Sequence, residues 1–74
     1  MNLTAANAVS DEIIAAFKEG NIEQPDIEIQ NLNNKDYLVC IKNFLGTTRK
    51  QIVTDIAQKH SLKVSEESDG LIIG

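Results

Sequence analysis

The sequence predicts an α+β domain, a two-layer sandwich of order α-β-β-α-β-β with both helices on one face of an antiparallel or mixed sheet. Apolar residues recur at helical spacing within residues 10–20 and again within 52–57, whereas Asp26–Gln30 alternates polar and apolar residues with period two. Two helices cover a single sheet most simply from one side. With 74 residues, the chain forms one small domain, 1–74.

The first helix is predicted over residues 10–20. Ser10 is a favourable N-cap residue and Gly20 stands where a C-terminal cap belongs. Alanines in residues 4–8 favour an extension of the helix towards the N-terminus. The face that packs inward consists of Val9, Ile13, Ile14, Ala16 and Phe17.

A hairpin is predicted to follow this helix. Asp26–Gln30 has the pattern of a strand buried on one side, and residues 31–36 form the turn, where Asn33 and Asn34 adopt left-handed conformations at low cost. Tyr37–Ile41 is apolar at every position. Such a strand is expected to lie centrally, with packing on both of its faces.

The second helix is predicted to begin just after Gly46, with Thr47 or Thr48 as its N-cap, and residues 52–57 supply its apolar face. Residues 62–65 alternate again, residues 68–70 form a tight turn, and residues 71–73 return as a short strand. We expect this last strand to offer an apolar edge to a partner chain.

The composition indicates a globular protein of the cytoplasm. Hydrophobic residues make up 42% of the chain and charged residues 24%, which is sufficient for a packed core. The chain has one cysteine, Cys40, and so no internal disulfide, as is usual in a reducing compartment. Since the longest apolar runs have only five residues, neither a secretion signal nor a membrane span is expected.

The charge is unevenly distributed. The whole chain carries −4, but residues 1–31 carry −5, residues 32–64 carry +4 and residues 65–74 carry −3. A basic centre between acidic ends is the pattern of a local anion site on an acidic domain. The same distribution also arises when the lysine and arginine residues lie in the middle of the chain without any binding role.

The start of the second helix is the candidate binding site. The positive end of the helix dipole disfavours cations in the first turn unless an anion is near, yet two cations occupy that turn. A glycine allows close approach of a phosphate, hydroxyl groups donate hydrogen bonds, and a lysine at the end of the preceding strand adds charge. The predicted phosphate-binding residues are Lys42, Gly46, Thr47, Thr48, Arg49 and Lys50.

No catalytic or metal-binding motif is present in the sequence, and no cofactor is expected. Cys40 lies in the middle of a predicted strand, where it is expected to serve as a small buried hydrophobe. His60 ends the second helix and suits the negative end of its dipole. These two residues alone are fewer than the three or four ligands that a metal site needs.

Residues 26–64 resemble the KH-like family of nucleic-acid-binding folds and its BolA-like relatives. The residues that carry the resemblance are Phe44-Leu45-Gly46, Arg49-Lys50-Gln51 and the segment from His60 to Val64. The resemblance implies contact with RNA or DNA through the Gly46 loop. For the BolA-like branch, it implies a glutaredoxin partner and His60 as an iron-sulfur ligand.

We therefore expect a non-enzymatic module that contacts single-stranded RNA, DNA or another phosphate-bearing ligand through residues 46–50. The alternative is an acidic protein-interaction or inhibitory module, which binds a protein partner or a second copy through its N-terminal half or an open sheet edge. The acidic pI of about 4.7 and the scarcity of aromatic residues favour this alternative.

Overall fold

The computed structural model describes residues 1–33, 35–42, 46–68 and 70–74. The predicted order is confirmed: α1 (Leu3–Glu19), β1 (Asp26–Asn33), β2 (Asp36–Lys42), α2 (Thr47–Lys59), β3 (Val64–Glu67) and β4 (Gly70–Ile73). All strand pairs are antiparallel, and the strands lie in the order β1-β2-β4-β3. Because β4 lies between the parallel strands β2 and β3, the segment β2-α2-β3 is a split β-α-β unit.

Helix α1 begins seven residues earlier than Ser10, so the prediction of Ser10 as its N-cap is wrong. Asn2 is the cap, and its Oδ1 accepts a hydrogen bond of 2.7 Å from the backbone N–H of Ala5. The alanines that follow have high helix propensity and carry the helix through to Glu19. Ser10 lies inside the helix and is buried on its inner face.

Both helices end in the same hydrogen-bonding motif. At the end of α1, the N–H of Ile22 donates to the carbonyl of Phe17, and Asn21 adopts a left-handed conformation with φ 56°. At the end of α2, the N–H of Leu62 donates to Ala57, and Ser61 has φ 58°. These are Schellman motifs, which reverse the chain and direct it into the following strand.

Among the described residues, no helix is long and apolar enough to cross a membrane.

The core lies between the helices and one face of the sheet. The strand register places Val39 opposite Ile73 and Ile41 opposite Leu71, and all four side chains are buried on the same face. They pack with residues of both helices, so both helices cover this face and leave the other uncovered. The buried helix residues in this cluster are Ala6, Val9, Ile13, Phe17, Val53 and Ala57.

Strand β2 lies centrally, between β1 and β4, as its apolar sequence predicts. The expected packing on both of its faces is wrong, because both helices cover the same face. The β1–β2 hairpin is longer than expected, because β1 continues to Asn33 with a register shift between Asn31 and Asn33. The Oδ1 of Asn33 accepts from the N–H groups of Lys35 and Asp36 at 3.2 Å, which fixes the turn. Asn34, the second residue predicted in the turn, lies outside the described residues.

The expectation of an open edge at residues 71–73 is wrong. Strand β4 pairs with β2 on one side and with β3 on the other, so its backbone groups are used in both ladders. Leu71 and Ile73 alternate into the core because the helices cover that face. The edges of the described sheet are β1 and β3.

Candidate functional site

The N-terminus of α2 is capped by a glycine and not, as predicted, by Thr47 or Thr48. Gly46 is the N-cap residue, with φ 109° and ψ 145°, and the helix begins at Thr47. A glycine adopts this conformation readily, whereas other residues are strained in it. In the described structure, no side chain caps the first turn. Its amide groups therefore have no side-chain acceptor among the residues that the structure describes.

A cleft of about 260 Å³ lies beside this helix start. It separates the beginning of α2 from the β3–β4 hairpin, and it is open to solvent. Thr47 and Lys50 line it from the helix, while Glu66 and Glu67 line it from β3. The charges of Lys50 and Glu66 balance, whereas the register places the Glu67 side chain on the face of the sheet away from the helices, with Lys42. The complete lining is Gly46, Thr47, Lys50, Glu66, Glu67, Ser68, Gly70 and Leu71.

Two of the predicted phosphate-binding cations are paired with carboxylates of the same chain. Lys50 forms an ion pair with Glu66 across the cleft. Lys42 pairs with Glu28, with 2.9 Å between Nζ and Oε2. The register places Glu28 beside Cys40 on the face of the sheet away from the helices, so Lys42 points to the side opposite Lys50.

The structure therefore brings Gly46, Thr47 and Lys50 to one cleft but separates them from Lys42. Thr48 and Arg49 lie in the same helical turn and do not line the cleft. Arg49 is half-buried and forms no ion pair with the described residues. Residues 43–45, which include the Phe44-Leu45 part of the family resemblance, lie outside the described residues.

His60 takes part in a polar cluster that joins the two helices. Its Nε2 lies 3.0 Å from Oε1 of Glu12 in α1, and Lys59 Nζ lies 3.6 Å from Oε2 of the same carboxylate. Because the carboxylate can only accept, the Nε2–H of His60 is the donor. This hydrogen bond, helped by the charge of Lys59, lowers the pKa of Glu12.

Cys40 is buried on the face of the sheet that the helices leave uncovered, and this burial raises the pKa of its thiol. His60 belongs to the helix layer on the other side, so the two residues do not share a site. Within the described ranges, no group of three or more histidine, cysteine, aspartate or glutamate side chains is arranged to hold a metal ion.

A second candidate surface is formed by residues of β1 and α1. Three large hydrophobic side chains are exposed in the described structure: Leu3 at 45%, Ile14 at 41% and Leu32 at 60%. Ile27 and Ile29 of β1 are only half-buried. We refer to these five residues as the β1-side surface.

The helical wheel places Ile14 on the flank of α1 that faces away from α2. Glu12 faces α2 through its contacts with His60 and Lys59, and Ile14 lies about 200° further around the helix. The Nε2 of Gln24, which precedes β1, donates to the carbonyl of Ile14 at 3.1 Å. Ile14 therefore lies on the side of α1 that is nearer to β1.

Leu3 and Leu32 both lie near the hairpin end of the sheet. The N–H of Tyr37 donates to the carbonyl of Met1 at 2.7 Å, and Tyr37 is paired with Asn31 of β1. Because Met1 uses the backbone groups of Tyr37 that point away from β1, helix α1 starts beside the hairpin end of β2.

The β1-side surface was not predicted from the sequence, because Ile14 was assigned to the buried face of α1. A signal was present: Ile14 is one residue, or about 100°, out of phase with the stripe of Val9, Ile13 and Phe17. Leu32 gave no such signal, since the register shift in the hairpin decides its exposure.

No protein-family model matches this chain, and no curated protein or solved structure matches it. The resemblance to KH-like and BolA-like domains stays a prediction.

Proposed function

We propose that this chain is a non-enzymatic protein-binding module that acts through the β1-side surface. The observation that carries the proposal is that the large hydrophobic side chains exposed in the described structure, Leu3, Ile14 and Leu32, all belong to α1 and β1. Exposed apolar side chains grouped beside a strand edge are characteristic of an interaction site. The surface belongs to the acidic N-terminal half of the chain.

The proposed mode of binding is strand addition. In the described sheet, β1 has a neighbouring strand on one side only, so its other side offers backbone donors and acceptors to a partner strand. Ile27 and Ile29 provide apolar contacts on the helix side, while Asp26 and Glu28 provide negative charge on the opposite face. We place this interaction in the cytoplasm, where a lone buried thiol such as Cys40 stays reduced.

The test is affinity capture from a cell extract with the immobilised full chain and two variants. Ile14→Lys introduces a charge into the β1-side surface, and Gln58→Lys introduces the same charge at an exposed position of α2 as the control. We expect a protein that the parent and the control retain equally and that Ile14→Lys retains about tenfold less. Equal retention by all three chains contradicts the proposal, provided that circular dichroism shows each to be folded.

Phosphate or nucleic-acid binding at residues 46–50 is the second candidate. The supporting observation is the glycine cap of α2, which offers no side-chain acceptor to the first-turn amides, beside an open cleft. The ion pair of Lys50 with Glu66 weighs against it, because a phosphate must displace or tolerate this carboxylate. We therefore rank it below protein binding.

A gel-shift titration with single-stranded RNA and DNA tests this candidate. Binding of the parent that falls steeply with salt, and that weakens when Arg49 and Lys50 are replaced by alanine, is the expected result for a phosphate site. Lys18→Ala, an exposed lysine in α1, is the control. Absence of a shift at micromolar protein concentrations removes the candidate.

A further inference from the structure

The two edges of the sheet differ in how well they are protected against strand addition. Strand β3 has four residues, and the last three, including Glu66 and Glu67, are exposed and polar. Short, charged strands are a common protection of sheet edges. Strand β1 has eight residues, and Ile27 and Ile29 are spaced along the part that precedes the register shift. The edge of β1 is therefore the one open to pairing.

The β1-side surface extends over both layers of the sandwich. A single added strand pairs with β1 in the sheet layer but leaves Leu3 and Ile14 of the helix layer exposed. A partner that covers both layers must present a strand edge with an apolar helix flank above it. A second copy of this chain presents that combination, and a two-fold axis perpendicular to the sheet places both copies' helices on the same side.

The charges on β1 favour a register centred on Ile29 over one centred on Glu28. Pairing centred on Glu28 places two glutamates directly opposite each other, which is destabilising. Pairing centred on Ile29 instead places Glu28 opposite Gln30 of the second copy, so a carboxylate meets an amide that can donate to it. It also keeps Ile27 and Ile29 of both copies on the helix side, because residues of equal parity are paired.

The helix layer has complementary charges in the same arrangement. Asp11 precedes Ile14 by three residues and Lys18 follows it by four, and both are exposed. When two copies of α1 run antiparallel about an axis near Ile14, Asp11 of each copy approaches Lys18 of the other. The dimer therefore combines an apolar centre with opposite charges on either side of it.

Resting on the protein-binding function proposed above, we infer that the partner is a second copy of this chain. The two copies pair through β1 in antiparallel orientation, with Ile29 on the two-fold axis, and form a continuous sheet of eight strands. Ile14 of each copy lies near the axis in the helix layer.

Sedimentation velocity of the full chain from micromolar to millimolar concentration tests the association. The mass is expected to rise from monomer to dimer. Gln30→Lys places a cation opposite Glu28 of the other copy twice in each dimer. We expect it to lower the dissociation constant of the dimer by about 2- to 30-fold, whereas Gln30→Glu raises that constant. Gln58→Lys and Gln58→Glu are the controls, since they make the same charge changes on α2 and leave association unchanged.

Disulfide trapping tests the register. Glu28→Cys and Gln30→Cys are prepared separately in a Cys40→Ala background, because Glu28 lies opposite Cys40 in the sheet. We expect rapid cross-linking when the two proteins are mixed and slow cross-linking of either alone, since only directly opposed residues approach the separation of a disulfide. Faster cross-linking of Glu28→Cys alone contradicts the proposed register.

The outcomes separate this inference from the proposed function. A mass that stays monomeric up to millimolar concentration overturns the dimer, and if Ile14-dependent capture of a different protein persists, protein binding through the β1-side surface still holds. Loss of both observations removes both proposals. A dimer that is indifferent to Gln30→Lys and Gln30→Glu also overturns the inference, because another surface then forms the contact.

Discussion

Gly70 is held close to the backbone of the neighbouring strand. It lies opposite Lys42 in the β2–β4 ladder, and a Cβ atom at this position overlaps the carbonyl group of Ile41. Because that obstacle is backbone in a central strand, it cannot rotate aside. We expect Gly70→Ala to lower the free energy of unfolding by about 1–3 kcal/mol or more, measured by urea denaturation.

Gly74 provides the control for this substitution. A Cβ atom at Gly74 meets the Cδ2 methyl group of Leu38, which is the end of a flexible side chain and can adopt another rotamer. We expect Gly74→Ala to cost less than about 1 kcal/mol. Equal losses for the two variants indicate that close approach of the backbone is not the reason for glycine at position 70.

The contact between α1 and α2 contains a pH-dependent element. The pKa of Glu12 is lowered in the folded protein, mainly because His60 donates a hydrogen bond to its carboxylate. A carboxyl group of this kind contributes stability above its unfolded pKa, near 4.5, and loses that contribution as the pH falls through its folded pKa. The acid side of the stability curve therefore depends on this contact.

We expect Glu12→Gln to be less stable than the parent at pH 6–7, with a difference that shrinks as the pH falls below 4.5. Urea denaturation midpoints at several pH values measure this difference. Glu23→Gln, which removes an exposed carboxylate between α1 and β1, is the control and follows the parent more closely. A Glu12→Gln deficit that stays constant down to pH 3 contradicts the assignment.

For the molecule as a whole, the sequence predicted which elements form and in what order, because the period of the apolar residues decides this locally. Strand order was not predictable in the same way. Residues 71–73 are short and apolar whether they lie at an edge or in the centre, and only pairing with both β2 and β3 decides the position. The edge assignment failed for this reason.

The candidate site was predicted in part. The glycine and the cations of the predicted site are visible in the sequence. Their partners are not, because Glu66 pairs with Lys50, and Glu28 with Lys42, only once the strands have assembled. The charge balance of the cleft at the start of α2 is therefore a property of the tertiary structure. The β1-side surface depends equally on which flank of α1 faces α2, and a single helix sequence does not state that.

The thiol of Cys40 is placed so that its reactivity reports on motion at the sheet. The thiol is 6% exposed between neighbouring strands, although it lies on the face without helices. Its direct neighbours on that face are Glu28 and Ile72, so a thiol reagent reaches the sulfur when these side chains move aside, and the rate of alkylation in the native protein measures how often they do. Alkylation of Cys40 therefore reports the motion of side chains on the uncovered face of the sheet.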